Sequence, residues 1–204
     1  MRRRLLVLGV FVLLAVGLAV PIAAQAGWIY HWSGDSAYAQ YSKAQGNIST
    51  DIWVDAMKGK YQSPPGNGTA FSRAYVYIYS WDTSSGDVIA SGWGFKELGA
   101  KEFSVSGGLK AAALKATIPM NDFVTGDAFN LAVTVNWTGN SRPIRERSVY
   151  HYIYPGRHYS STYTNASKAA DAQATFTKAG SVVFSGTTDQ AMIGSGRNRE
   201  IMID

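Results

Sequence analysis

Short runs in which apolar and polar side chains alternate one by one set the strongest limit on the fold of this chain. The clearest run is AFSRAYVYIYSW at 70–81, where Ala74, Val76 and Ile78 share one face of an extended strand. A second clean run extends over 129–137. A period of two is typical of half-buried β-strands, whereas an amphipathic helix needs a period of about 3.6. The chain is therefore predicted to be built from strands.

Turn-forming Gly, Asn, Asp and Ser residues separate about nine such runs. We predict strands at 48–56, 70–81, 88–95, 103–105, 129–137, 144–154, 181–185 and 199–203, with an irregular, aromatic-rich segment at 27–45 that contains one strand or a lid. The segments 109–118 and 166–177 are rich in Ala and fit either a strand or a helix, and the strand is favoured.

Short connections favour antiparallel neighbours, because parallel strands need long crossovers. We therefore predict an all-β fold: a single antiparallel β-sandwich of about nine strands, with a β-barrel as the alternative. No break in composition divides residues 27–204, which are read as one domain. The aspartates of 82–87 and 122–127 are interpreted as turn residues, since the spacing of a calcium-binding loop is absent.

The first 26 residues resemble an export signal. Arg2 to Arg4 precede an apolar run from Leu5 to Val20, and Ala24-Gln25-Ala26 closes the segment. We predict a signal helix that is cleaved after Ala26, so that the remaining chain is secreted or held at the cell surface. The alternative is an uncleaved anchor, since the run extended to Ala24 has the length of about 20 residues that a membrane span needs. Contact with a membrane is expected only in that case.

Loss of the signal changes the charge balance. Three of the 19 Lys and Arg residues lie in the signal, which leaves 16 against 14 acidic residues, a net charge of about +2 instead of +5. A nucleic-acid partner is therefore not predicted, because such proteins need a concentrated basic face. The chain has no cysteine, which excludes disulfides, thiolate metal sites and cysteine nucleophiles.

Aromatic side chains at a period of two are the first candidates for a binding surface. One stripe lies on the strand at 70–81 and a second on the strand at 144–154. The candidate ligand-binding residues are Tyr75, Tyr77, Tyr79 and Trp81 in the first stripe, and Tyr150, Tyr152 and Tyr154 in the second. If the two strands are neighbours, the rings form one platform able to stack on sugars. The alternative is that the rings stabilise the sheet as cross-strand pairs.

Arg145 and Arg147 are the second set of candidates, on the strand that carries the second stripe. Arginine next to tyrosine suits the recognition of acidic sugars or phosphate groups. The alternative is a solvated strand whose charges prevent aggregation.

No catalytic motif, cofactor fingerprint or metal-ligand spacing occurs in the chain. We predict a non-catalytic exported protein, with no cofactor and no metal, that binds an extracellular glycan or another envelope component through surface aromatics. The alternative is a structural subunit of a surface layer or filament that associates with itself. A secreted hydrolase is the third and weakest hypothesis.

Overall fold

The computed structural model describes residues 29–62, 68–154 and 157–203. The signal peptide predicted at 1–26 lies outside the described residues. The described ranges contain ten strands and one short 3₁₀ turn, Gly107–Leu109. The strands are β1 Ile29–Gln45, β2 Ile48–Gln62, β3 Gly68–Asp82, β4 Val88–Glu97, β5 Phe103–Val105, β6 Ala111–Asp122, β7 Ala128–Gly139, β8 Ile144–Tyr154, β9 Arg157–Lys178 and β10 Ser181–Ile203.

All strand pairings in the described chain are antiparallel, which confirms the predicted all-β class. The strands form one continuous sheet in the order β10-β1-β2-β3-β4-β6-β7-β9-β8, and β10 also pairs with β9. The path from β10 to β9 therefore closes on itself, and the sheet is ring-like. The short strand β5 pairs with β6, and β8 extends the sheet beyond the ring along the first half of β9.

The core fills the ring with buried side chains from β1, β2, β3, β5, β6, β7, β9 and β10. Ala37, Ala39 and Tyr41 of β1 are fully buried, and on β3 so are Ala74 and Val76. The face predicted as the core wall on β3 is confirmed, with Ile78 partly buried against it. Small alanines alternate with larger residues across the ring, which lets the facing strands approach closely.

Several strands differ from their predicted extents. The ambiguous segments 109–118 and 166–177 are strands, within β6 and β9. The irregular segment 27–45 contains the 17-residue strand β1, and 181–185 and 199–203 are the two ends of one 23-residue strand, β10. The predicted interruption of β10 is wrong because Gly186, Gly194 and Gly196 pair within the sheet instead of ending it.

The same hairpin turn occurs twice. In both Asp82–Asp87 and Asp122–Asp127, the amide of the first aspartate donates to the carbonyl of the last. The Oδ1 atom of the first aspartate accepts from the amides two and three residues later. The glycine before the last aspartate has a positive φ, 80° in Gly86 and 78° in Gly126. Only glycine takes this conformation at little cost, so both loops are turns, as predicted.

Beyond the closed part of the ring, six of the described strands continue as an open, curved sheet. β8 pairs with β9 over Arg157–Ser167, and β7 pairs with β9 over Ala170–Lys178, so β8 follows β7 along the same edge. The extension contains the far ends of β9, β10, β1, β2 and β3 beside β8. In the described part of the chain, no helix has the length and apolar character needed to cross a membrane.

Candidate functional site

A cavity of about 970 Å³ opens where the closed ring meets the extended sheet. Seven strands and the segment between β4 and β5 border it. Its charged residues are Asp35, Lys58, Lys60, Arg145, Glu146, Arg147 and Arg197. We name this space the cationic cavity, since five of these residues are basic and two are acidic.

Strand alternation explains how charged residues reach this interior. On β2, Ile52, Val54 and Ala56 are buried in the core. The next two residues on the same face are Lys58 and Lys60, because side chains of a strand point to one side at every second position. The inner face of the sheet therefore changes from apolar to cationic along a single strand.

Register places three of the cations in one row. Lys60 of β2 lies opposite Ser33 of β1, Ser33 opposite Arg197 of β10, Arg197 opposite Thr164 of β9, and Thr164 opposite Arg147 of β8. Neighbouring strands lie about 4.8 Å apart. The three cations are therefore spaced roughly 10 Å apart along the curved inner face, with one hydroxyl between each pair.

A second row lies one step nearer the core. Lys58 is opposite Asp35, and on β8 Arg145 is opposite Ala166. The ammonium of Lys58 lies 6.0 Å from the centre of the Phe103 ring, and Phe103 is buried. The second row thus combines charge with an aromatic floor, and the Phe103 ring attracts the ammonium of Lys58 to its face.

The floor is held by the segment that follows β4. The amide of Leu98 donates to the carbonyl of Ser72, 2.7 Å away. Nζ of Lys96 lies 2.5 Å from Oε1 of Glu102, and the other oxygen of Glu102 accepts from the amide of Gly99. These bonds lower the pKa of Glu102, the hydrogen bond from Lys96 most.

The basic side chains of the cationic cavity have no carboxylate within ion-pair distance among the residues that the structure describes. Across the described residues, the one ion pair is that of Lys96 with Glu102. Five cations with unpaired charge in a concave space create a positive potential that an anionic ligand would neutralise.

Glycines form the wall behind the cavity. Gly59 of β2, Gly34 of β1 and Gly196 of β10 are paired in one row across three strands. A Cβ atom on Gly34 would lie 2.6 Å from the carbonyl oxygen of Lys58, and one on Gly196 would lie 2.7 Å from the Trp32 ring. The glycines let the sheet bend sharply and let an indole lie against its outer side.

The first aromatic stripe, on β3, lies on the outer face. Tyr75, Tyr77, Tyr79 and Trp81 are all partly buried. The Tyr77 ring lies 5.3 Å from that of Trp53, and the Tyr75 ring lies 5.1 Å from that of Phe95. These cross-strand pairs match the structural interpretation of the stripe. Ligand binding by these residues stays a prediction.

The structure separates the two stripes. β3 pairs with β2 and β4, whereas β8 pairs with β9, so the expected joint platform is absent from the described sheet. Tyr150 and Tyr152 are exposed and stacked on each other, 6.4 Å apart, and Tyr152 lies 5.7 Å from Tyr159. The side chain of Tyr154 lies outside the described part of the structure.

Alternation also separates the two kinds of candidate on β8. Arg145 and Arg147 occupy odd positions, and Tyr150 and Tyr152 even ones, so they lie on opposite faces of the strand. The expectation that arginine and tyrosine act on one surface is wrong for this reason. The arginines border the cationic cavity, while the tyrosines face outwards.

Shifted pKa values also occur on the outer face. Burial raises the pKa of Asp55, and the nearby Arg73 partly opposes this rise. Burial raises the pKa of Tyr159 to about 12, with a further contribution from Glu200. Both groups lie outside the cationic cavity and beside aromatic clusters.

Sequence reasoning missed Lys58, Lys60 and Arg197. The sequence signal that could have found them is a charged residue on the strand face that is otherwise apolar. Lys58 is an example, since it follows Val54 and Ala56 on the same face of β2. Their assembly with Arg147 depends on register between strands far apart in the chain, which no local pattern contains. Among the described residues, no group of three or more His, Asp or Glu side chains is placed to hold a metal ion.

The fold and site together describe an all-β protein with a ring-like sheet and a cationic cavity at one end. No family model matches the chain, and no curated protein matches it either. One solved structure with some similarity is the 2.00 Å crystal structure of a candidate AttH from Nitrosomonas europaea. The identity is 11% and the TM-score 0.27, over 89% of this chain and 54% of that one. The chain thus spans about half the length of that protein, and nothing about function follows from the similarity.

Proposed function

We propose that this chain is an exported, non-catalytic binding protein that holds an anionic glycan in the cationic cavity. The single observation that carries the proposal is the row of Lys60, Arg197 and Arg147 on the inner face. Export is inferred from the predicted signal at 1–26.

Charge and shape both support a glycan as the ligand. Cations repeated roughly 10 Å apart suit a linear ligand with repeated carboxylates or phosphates better than a single small anion. Ser33 and Thr164 lie between the cations and offer hydroxyls to sugar oxygens.

Calorimetric titration with hexagalacturonate tests the proposal, with neutral maltohexaose as the matched probe. We expect saturable binding of the acidic oligosaccharide and at least 100-fold weaker binding after Lys60, Arg147 and Arg197 are all changed to Ser. Each charge-assisted hydrogen bond at such a site contributes roughly 1 kcal/mol, about five-fold in affinity.

The matched control changes Lys101, Lys110 and Lys115 to Ser, because these exposed lysines lie outside the cavity. This variant has the same net charge as the cavity variant and should bind like the parent. Equal loss in both variants would show that only net charge attracts the ligand. If Tyr77→Ala or Trp81→Ala abolishes hexagalacturonate binding and the cavity variant binds like the parent, the binding site is the outer aromatic stripe.

Self-association is a second candidate function, favoured by the free edge of β8. In the described sheet β8 pairs with β9 alone, and Ile144, Val149 and Ile153 are exposed on it. A long edge strand with exposed apolar residues is prone to pair with another strand. An antiparallel pair of two β8 strands that overlaps all 11 residues places Val149 opposite its own copy.

Cysteine cross-linking tests this pairing in a chain that has no cysteine of its own. Val149→Cys should give a disulfide-linked dimer under mild oxidation, whereas Val88→Cys, equally exposed on β4, should not. Light scattering of the parent chain at high concentration should then show a dimer. A strict monomer, or equal cross-linking of both variants, rules out the β8 pair.

A further inference from the structure

The opposite end of the ring holds a second cavity, of about 510 Å³. Its apolar lining is Ile48, Ile52, Ile78, Phe176, Val183 and Phe184. We name this space the apolar cavity. It lies roughly 26 Å from the cationic cavity, because Thr50 and Lys58 on β2 are eight residues apart at about 3.3 Å each.

The polar groups of the apolar cavity are few and differ in kind. Oγ1 of Thr50 and Oγ of Ser80 are 2.8 Å apart and hydrogen-bonded to each other. Among the described residues, Lys43 is the one charged side chain in the lining, and Gln45 lies near it on β1. Ligand sites for small molecules are mostly apolar, with a few placed polar groups that fix the orientation of the ligand.

A buried hydroxyl behind the cavity wall is a second observation. Tyr41 is 1% exposed, and its hydroxyl has no hydrogen-bond partner among the described residues. Its ring packs edge-on against Phe176 and Phe184, at 6.1 and 5.5 Å. A buried polar group without a partner costs stability, so this end of the core is not packed for stability alone.

We infer that the apolar cavity binds a small amphiphile with an apolar tail and one anionic head group. The tail lies against Ile48, Ile78 and Val183, the apolar lining residues that keep accessible surface, and the head group pairs with the ammonium of Lys43. This charge pattern selects a single anion joined to an apolar body. It differs from the repeated charges at the cationic cavity, so the inference does not depend on the proposed function.

Fluorescence titration with 1-anilinonaphthalene-8-sulfonate, an anionic apolar dye, measures the site directly. We expect one saturable site per chain, and displacement of the dye by decanoate at least ten-fold better than by decanol. Lys43→Ala should remove most of this preference for the anion while leaving the affinity for decanol unchanged.

Val183→Trp is designed to fill the cavity, and Val182→Trp is its matched control. Both valines are exposed, at 54% and 63%, so neither change disturbs the core, and only Val183 lines the cavity. Val183→Trp should weaken dye binding at least ten-fold, and Val182→Trp less than two-fold.

Three results would overturn the inference: no saturable dye binding, equal effects of the two Trp variants, or no preference for decanoate over decanol. The triple Ser variant of the cationic cavity should bind the dye like the parent. If that variant loses dye binding, the dye occupies the cationic cavity and the assignment to the apolar end is wrong. Failure of glycan binding alone leaves the apolar cavity unaffected.

Discussion

The two ends of the ring are built from the same strands and differ in almost every physical property. β1 supplies Asp35 to the cationic cavity and Lys43 to the apolar one, and β2 supplies Lys58 and Ile52 in the same way. The cationic end has five basic residues around a glycine-rich wall, while the apolar end has one lysine above an aliphatic and aromatic floor. One face of one sheet therefore borders two cavities of different character, with the apolar core between them.

The glycine row at the cationic end gives the largest expected effect. Gly34→Val places a Cβ 2.6 Å from the backbone oxygen of Lys58, and a backbone atom cannot move aside as a side chain can. We expect the free energy of unfolding to fall by at least about 3 kcal/mol in urea denaturation. The control is Gly107→Ala, where nothing lies within 4 Å and the change should stay within about 0.5 kcal/mol.

Hydrogen exchange of the same variant tests whether the two ends are separable. Amides of β1 near Ser33 should lose protection, while those near Tyr41 keep most of theirs, because local openings are confined to parts of a fold. Uniform loss along β1 would show that the two ends unfold as one unit and that the comparison between them has no energetic basis.

Particular residues show how much of this could be predicted from the sequence. The alternation at Ala74 and Val76 predicted both the strand and its buried face, because period-two patterning is local. The length of β10 could not be predicted, since glycines that usually end a strand lie here at a bend. The cationic row was missed because Ser33 and Arg197 meet only through a register between the two ends of the chain.

Ligand affinity should depend on ionic strength more at the cationic cavity than at the apolar cavity, because more charges bind the ligand there. Raising NaCl from about 50 to 500 mM should weaken hexagalacturonate binding at least ten-fold, because several exposed charges are screened together. Decanoate binding at the apolar cavity depends on Lys43 alone and should change less than about three-fold. Parallel titrations of both ligands measure this difference, and equal salt slopes would contradict the assignment of distinct ligand classes to the two ends.

Tyr41→Phe sharpens the description of the apolar end. Removing a buried hydroxyl without a partner should leave stability unchanged or raise it by about 1 kcal/mol. Thr50→Val is the contrasting change, since it leaves the buried hydroxyl of Ser80 without its partner and should cost about 1 kcal/mol. Thermal denaturation of both variants provides the comparison, and a clear loss of stability in Tyr41→Phe would show that the hydroxyl has a partner.

Tyr41 should also make the stability of the parent chain fall at alkaline pH. Burial raises the pKa of Tyr41 above its ordinary value of 10.0. The neutral phenol therefore contributes stability that is fully present below pH 10 and is lost as the pH rises through the folded-state pKa. Tyr41→Phe has no phenol to ionise and should not lose this stability. Above pH 10, thermal denaturation should therefore show the parent losing more stability than the variant.

Glu102→Gln at the floor of the cationic cavity has the smallest expected effect. Hydrogen bonds from Lys96 and from the amide of Gly99 lower the pKa of Glu102 below its ordinary value of 4.5. Its charge therefore contributes stability that is present above pH 4.5 and is lost as the pH falls through the folded-state pKa. The pair is partly exposed, which limits the contribution to a few tenths of a kcal/mol, about the value of a surface ion pair.

Urea denaturation at pH 7 and at about pH 3 measures this contribution of Glu102. The free energy of unfolding of Glu102→Gln should be slightly lower than that of the parent at pH 7 and equal to it at about pH 3. A loss as large as that of Gly34→Val would mean that the segment after β4, rather than the glycine row, maintains the cationic end.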